Sequence, residues 1–244
     1  MSNVICIAYQ PGAYGSFLAW AIEKTSTSRA QYLPAIMDDP LLPDGSSHAY
    51  ASFCKVKDNS EFIEGIYAAR KEPVEWGYHM HAGWPVEDGE DIEKSIRMVL
   101  ANLSTFDQMF MVECTDELDH CVRYLRNEAT MATDRWYGML NIKNGDQLFS
   151  RLKRDVSQKQ LSEGFSHPKL CRINMKEFSG PADLLYDKIT SHMRWPSRDK
   201  EFFISVKDCM WKMQSRFYDR LAELTTDEPR TPAELAVYRL IKGE

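Results

Sequence analysis

The sequence has few features that would tie the protein to a metal or to an oxidising compartment. Its six cysteines include no Cys-x-x-Cys pair and no cysteine–histidine cluster at the spacing of a zinc site. Scattered cysteines of this kind are typical of proteins that stay reduced. We therefore expect no metal and no disulfide framework, and a cytoplasmic location.

Long apolar runs and an excess of basic residues are also missing. No apolar run reaches the roughly twenty residues needed to cross a bilayer, and residues 1–3 lead into a strand-like segment rather than a signal peptide. Lys and Arg number 30 against 36 Asp and Glu, which gives a net charge of −6. We expect neither a membrane nor a nucleic-acid partner, so an anionic ligand must be bound at a local site.

The 244 residues have an ordinary globular composition, with 43% hydrophobic and 27% charged residues. Apolar strand-like runs alternate with helical periodicity, which predicts an α/β protein with three layers: a mostly parallel sheet with helices on both faces. We expect one domain over 1–244, with C-terminal helices from about 199. The predicted strands are 4–9, 74–81, 108–113 and 169–174; the predicted helices are 16–24, 61–70, 91–103, 116–127, 181–193, 200–224 and 232–241, with an irregular stretch over 31–60 and short helices over 131–165.

A glycine-containing turn follows the first strand and precedes the first helix. Such a turn presents free backbone N–H groups at the positive end of a helix dipole, where phosphate or sulfate binds well. Gly12 and Gly15 would let the backbone approach an oxyanion closely, and Ser16 offers a hydroxyl group. The Gly-Lys-Ser/Thr of a Walker loop is absent, which disfavours an ordinary nucleoside triphosphatase. The alternative is a βα turn with glycines for backbone geometry only.

This turn resembles the donor loop of the sulfotransferase branch of the P-loop fold, which runs Pro-Lys-Ser-Gly-Thr-Thr-Trp-Leu. The family's catalytic lysine falls on Gly12, whereas the opening proline, the hydroxyl residue and the aromatic-Leu pair all match. The resemblance implies 3′-phosphoadenosine 5′-phosphosulfate as the donor, without a metal. It assigns donor binding to Pro11, Gly12, Ala13, Tyr14, Gly15, Ser16 and Phe17.

A second similarity lies at residues 78–85, Tyr-His-Met-His-Ala-Gly-Trp-Pro, which resemble the family's strand ending in Lys-Thr-His-Leu-Pro. The histidine of that motif is the family's base, so His79 and His81 are the candidates here. Imidazole suits this role because its ordinary pKa lies near neutrality. The alternative is a pair of structural histidines at a strand end.

A third similarity, over 109–126, matches the strand and helix that hold the donor's 3′-phosphate in the family. In the simplest register Glu113 replaces the family's arginine and Cys121 its serine, so Arg123 or Arg126 would have to substitute. The alternative is a solvated helix face on which Asp119 pairs with Arg123 at i, i+4. Residues 172–178 and the helix after them resemble the family's strand before a Tyr-Glu-Asp-Leu segment, which is structural.

These resemblances imply a sulfotransferase that moves a sulfuryl group to a hydroxyl or amine of a small-molecule or carbohydrate acceptor. Loop amides and Ser16 would stabilise charge on the transferring group, and His81 or His79 would deprotonate the acceptor. Tyr14 would either stack on the donor or be exposed at the turn. Three alternatives stay open: an inactive nucleotide- or anion-binding protein of the same fold, a structural or partner-binding protein, and a small-molecule kinase.

Overall fold

A computed structural model describes residues 3–10, 12–15, 17–18, 21–22, 76–82, 100–101, 103–105, 107–130, 137, 142–157, 165–192 and 199–244. The predicted helices at 61–70 and most of 91–103, and the irregular stretch at 31–60, lie outside these residues. So do Pro11 and Ser16 of the turn.

The fold is built on a parallel four-stranded sheet, which confirms an α/β protein. The strands are β1 (Asn3–Tyr9), β2 (Trp76–Ala82), β3 (Gln108–Glu113) and β4 (Leu170–Asn174), in the order β2-β1-β3-β4. All three pairings are parallel. All four agree with the predicted strands to within two residues at either end.

β1 has the sequence Asn-Val-Ile-Cys-Ile-Ala-Tyr and lies between two other strands. Every residue from Ile5 to Tyr9 is buried, as expected for a strand with neighbours on both edges and cover on both faces. Ile7 is opposite His81 of β2 and Phe110 of β3. An apolar run without polar alternation therefore marks the centre of the sheet.

After the turn, residues 15, 17–18 and 21–22 are helical, and five helices with defined bounds come later in the described chain. These are α1 (Glu117–Thr130), α2 (Gly145–Ser157), α3 (Ala182–His192), α4 (Lys200–Glu223) and α5 (Pro232–Ile241). Short 3-10 turns occupy Leu103–Thr105 and Met175–Phe178. Among the described residues, no helix is both long and apolar enough to span a membrane.

The prediction of helices over 131–165 is confirmed for 145–157, where α2 is one helix of 13 residues. Its start is fixed by Asn144, whose Oδ1 accepts from the Gln147 amide at 3.0 Å. The Gln147 side chain reaches back and accepts from the Lys143 amide at 2.6 Å. An Asn-x-x-Gln pair ahead of Leu148 and Phe149 is a helix-start signal that sequence reasoning overlooked.

α1 lies at the junction of the helices, because it packs against α2, α4 and α5. Its residues from Asp119 to Asn127 are all buried, and Asp116 caps its start by accepting from the Asp119 amide at 2.9 Å. The helix was predicted over 116–127, so its start agrees with the prediction to within one residue. The interpretation of this helix as a solvated face carrying an Asp119–Arg123 pair was wrong: Arg123 is only 3% exposed and pairs with Asp155 of α2.

The Arg123–Asp155 pair joins α1 to α2 inside the protein. An Asp155 oxygen lies 2.7 Å from Arg123 and accepts from the Tyr124 hydroxyl at 2.9 Å, while the other accepts from Arg151 at 3.0 Å. The pair is thus part of a network in which both carboxylate oxygens are bonded. Removing one member would leave a charge in a place where water cannot solvate it.

We expect Asp155→Ala to lower the free energy of unfolding by about 3–5 kcal/mol, because it leaves the Arg123 guanidinium buried without its carboxylate. The matched control is Asp146→Ala, which removes the partner of Arg239 from a position that is 86% exposed. That change should cost less than about 1 kcal/mol. Urea denaturation of the two variants measures the difference, and equal losses would contradict a structural role for the buried pair.

Candidate functional site

The strand order places a crevice between β1 and β3. β2 flanks β1 on one side, whereas β3, the next strand along the chain, flanks it on the other. β1 is followed along the chain by the strand on one side of it, and β3 by the strand on its other side, so the direction of the connections reverses between β1 and β3. In open parallel sheets the crevice at such a reversal is where ligands bind. The turn at 10–15 and the segment 114–116 form its two sides.

The turn after β1 has an unusual backbone. Gly12 has a φ of +90° and Tyr14 a φ of +62°, and helical geometry begins at the next residue, Gly15. A left-handed residue followed by a right-handed one turns successive N–H groups toward the same point, which makes a concave anion site. Left-handed φ is rare for a bulky residue such as tyrosine and is held only when the surroundings enforce it.

The amides of the turn divide into two groups. Ala13 donates its N–H to the Gln10 carbonyl at 2.9 Å and is therefore engaged by the protein. The N–H groups of Gly12, Tyr14 and Gly15 have no acceptor within the part of the chain that the structure describes. These three lie at the amino end of a helix, where a partial positive charge favours an anion.

Both glycines of the turn are in tight contact with protein side chains. A Cβ on Gly12 would lie 2.7 Å from both Arg123 Cγ and Asn127 Oδ1, and a Cβ on Gly15 would lie 2.0 Å from the Tyr9 ring. Gly12 is the position at which the sulfotransferase family has its lysine. Here the positive φ and the approach of α1 disfavour any side chain at residue 12, including the lysine that the resemblance places there.

Tyr14 is part of the core. It is 2% exposed, its ring centre lies 5.2 Å from that of Phe178, and the Arg126 guanidinium lies 5.1 Å above it. The expectation that it would stack on a donor or be exposed was therefore wrong. Its hydroxyl and that of Tyr218 are buried without a partner among the described residues, and burial raises the pKa of both phenols, so both stay neutral.

The β3 side of the crevice is occupied by hydrogen bonds within the protein. Gln10 Oε1 accepts from the Cys114 amide at 2.9 Å and so bridges the two strand ends. Asp119 Oδ2 accepts from both the amide and the hydroxyl of Thr115, at 3.1 and 3.3 Å. Glu113, the last residue of β3, is also buried. Burial is the main cause that raises the pKa of Asp119.

The two arginines proposed for the 3′-phosphate are committed to other partners. Arg123 is bonded to Asp155 and lies 3.2 Å from His120 Nδ1, and its buried Nε has no partner in the described structure. Arg126 donates from Nε to Gln214 Oε1 at 2.8 Å. Cys121, in the place of the family's serine, is buried, and burial raises the pKa of its thiol to about 12.

The pairing of β2 with β1 gives the positions of the two candidate histidines along the sheet. His81 of β2 is opposite Ile7 of β1, and His79 is opposite Ile5. Because the strands are parallel, His81 lies one residue from the edge of the sheet at which the turn begins. Their catalytic role stays a prediction. Ala13 and Phe17, assigned to donor binding by resemblance, have their side chains in the core.

Sequence reasoning missed three residues that shape this region. Gln10 bridges the strand ends, Asp155 holds Arg123, and Tyr218 of α4 has its hydroxyl buried near Tyr14. Only Gln10, a polar residue directly after a buried strand, carried a local signal. Within the described ranges, no three His, Cys, Asp or Glu residues are grouped so as to hold a metal ion.

Comparisons with known proteins give no family for this chain. A scan against protein-family models and searches of curated proteins and of solved structures find no match.

The contact of Gly12 with α1 yields a test of the turn itself. We expect Gly12→Ala to lower the free energy of unfolding by at least about 2 kcal/mol, because left-handed φ alone costs about 1–2 kcal/mol for an alanine and the methyl group also collides with Arg123 and Asn127. Gly145→Ala is the control, since a Cβ there meets nothing within 4 Å. Similar unfolding midpoints for the two variants would contradict the close approach.

His120 predicts a pH dependence of stability. Burial, followed by the neighbouring Arg123 charge, lowers its pKa from 6.5 to about 3. Between these values the unfolded chain binds a proton that the folded protein excludes, so stability falls as the pH drops from about 6.5 toward 3, by up to about 1.4 kcal/mol per pH unit. Denaturation curves of the wild type and His120→Gln should show a smaller slope for the variant; equal slopes would contradict a buried neutral imidazole.

Proposed function

We propose that the turn after β1 binds the phosphate or sulfate oxygens of an adenine nucleotide, and that the protein is a divergent sulfotransferase of the P-loop type. The observation that carries the proposal is the set of three amides, Gly12, Tyr14 and Gly15, without acceptors among the described residues at a helix start. A helix start at a sheet's switch point is a common place for such oxygens.

Backbone strain supports the same assignment. Tyr14 holds a left-handed φ although its side chain packs in the core, where an extended or helical backbone would cost less. Strained residues of this kind concentrate at ligand-binding sites, because the strain orients groups that a relaxed turn would not. In this turn the oriented groups are the N–H of Tyr14 and that of Gly15.

The transfer step follows from the resemblance. The acceptor's oxygen would form a bond to the donor's sulfur while the bond from sulfur to the donor's phosphate oxygen breaks, and 3′-phosphoadenosine 5′-phosphate would leave. His81 or His79 would take the acceptor's proton, and Ser16 with the turn amides would stabilise the charge on the leaving phosphate. We also propose that helices cover both faces of the sheet, so that the fold has three layers.

A binding protein without catalysis is the second candidate, and the Gly12 contact favours it. The family's lysine cannot be restored at a position where a Cβ lies 2.7 Å from two atoms of α1. The two arginines that the resemblance would assign to the 3′-phosphate are also engaged, by Asp155 and Gln214. We therefore expect the 3′-phosphate to add little to affinity.

Calorimetric titration with 3′-phosphoadenosine 5′-phosphate, adenosine 5′-phosphate and adenosine tests nucleotide binding. We expect both phosphorylated ligands to bind with affinities within about tenfold, a difference of about 1.4 kcal/mol, and adenosine to bind far more weakly. Equal affinity for all three, or no binding, would contradict oxyanion recognition by the turn. A Ser16→Ala variant, with Ser150→Ala on the exposed face of α2 as control, measures the hydroxyl's share.

The location can be tested by NMR with one pair of labels. Pro11-Gly12 is the one Pro-Gly pair in the sequence, so a protein labelled with carbonyl ¹³C-proline and ¹⁵N-glycine gives a single filtered amide signal, that of Gly12. We expect this signal to shift on saturation with 3′-phosphoadenosine 5′-phosphate. Binding with an unmoved Gly12 signal would place the nucleotide elsewhere.

Turnover separates the two candidates. Transfer of ³⁵S from labelled donor to a panel of phenols, amines and sugars, lost in His81→Gln or His79→Gln, supports the sulfotransferase. Binding without transfer supports the inactive protein.

A further inference from the structure

The helices α1, α4 and α5 enclose a cavity of about 480 Å³ on the surface of the protein. Its size falls within the range of small-molecule sites. Four of its lining residues have apolar side chains: Leu125, Ala129, Phe217 and Pro232. A cavity with such walls offers an apolar body a place away from water.

The acidic residues of the cavity are already bonded. The Glu128 carboxylate accepts from the Thr231 hydroxyl and from the Ala233 amide, and so closes the amino end of α5. Glu234 is held by Arg220, with contacts of 2.8 and 2.9 Å between guanidinium and carboxylate. The side-chain hydrogen bond to Arg220 is the first cause that lowers the pKa of Glu234, so it stays ionised and paired. Neither carboxylate is left to bind a cation.

Two arginines of the same cavity have no such partner. Arg216 and Arg230 are exposed, and neither guanidinium has a carboxylate within ion-pair distance in the part of the chain that the structure describes. Arg216 lies over the Phe217 ring, 4.7 Å from its centre, so a charged group stands against an apolar wall. The two charged groups of the cavity without a partner of opposite charge are therefore both positive, although the net charge of the protein is −6.

We propose that this cavity binds a small organic acid, a molecule with a carboxylate or sulfonate on an apolar or aromatic body. The guanidiniums of Arg216 and Arg230 would bind the acid, because their planar N–H groups match an anion with two or three oxygens. The apolar body would lie against Ala129 and Pro232, which line the cavity and are exposed. This site is separate from the turn after β1 and does not depend on the proposed nucleotide binding.

The experiment uses 2-naphthoate as the probe and the uncharged 2-naphthylmethanol as its matched control. Calorimetric titration of the full chain should show saturable binding of the naphthoate at one site per chain, and binding of the alcohol at least about tenfold weaker. No saturation with naphthoate up to about 1 mM, which corresponds to about 4 kcal/mol of binding free energy, would overturn the proposal. Equal binding of the two probes would also overturn it.

Variants locate the probe. Arg216→Gln and Arg230→Gln should each weaken naphthoate binding by about five- to tenfold, and Ala129→Phe, which fills part of the cavity, should abolish it. Lys212→Gln is the control, since it removes the same charge from an exposed position of α4 that does not line the cavity. An equal loss in Lys212→Gln would show a diffuse charge effect and overturn the proposal. All four positions are exposed, so thermal unfolding should change little.

Competition distinguishes the two sites. Saturating 3′-phosphoadenosine 5′-phosphate should leave naphthoate affinity unchanged, and the arginine variants should bind the nucleotide as the wild type does. Displacement of naphthoate by the nucleotide would place the probe at the turn after β1 and overturn a separate acid site.

Discussion

The approach of α1 to the turn after β1 is the contact on which the rest of this region depends. Arg123 is drawn into the protein by Asp155, and its Cγ then lies where a side chain on residue 12 would otherwise be. The turn must therefore pass over α1 with a glycine in left-handed geometry. That path sets the direction of the following amides, so a buried ion pair between two helices determines what the turn can present to a ligand.

Polar side chains of α1 contact three neighbouring helices, α2, α4 and α5. Arg123 binds α2, Arg126 binds Gln214 of α4, and Glu128 caps the amino end of α5. The Arg123–Asp155 contact is a buried pair of charges, so separating α1 from α2 would leave a charge without its partner. The resemblance assigned Arg123 or Arg126 to the donor's 3′-phosphate. In the structure both side chains instead connect helices. What remains for a ligand at the turn is main chain.

Local sequence signals were sufficient for most of the secondary structure. The apolar run before Tyr9 predicted the central strand, and the helix predicted over 232–241 has the observed bounds of α5, with Pro232 at its start. Residues 108–113 were predicted as a strand with the observed ends. In each case the neighbours along the chain decide the conformation, through burial of a short apolar run or through a cap and a proline.

The site was harder to predict because its determinants are distant in sequence. Arg123 pairs with Asp155, 32 positions away in the sequence. Asp119 is four residues from Arg123 and was the nearer acid, so an exposed Asp119–Arg123 pair was expected. Tyr14 follows a glycine turn and looks exposed, yet Phe178 and α4 cover it. Strand order and the resulting crevice depend on crossover connections, which leave no local pattern in the amino acids.

The position of β1 in the sheet affects how the chain reaches its folded state. The strand at residues 3–9 pairs with residues 76–82 and 108–113, so its two partners are synthesised long after it. Until then one of the most apolar segments of the protein has no neighbour on either edge. Pairings over such separations are slow to form, and an open apolar strand is prone to associate with other chains. Until residues 108–113 are available for pairing, β1 therefore stays open to association with other chains.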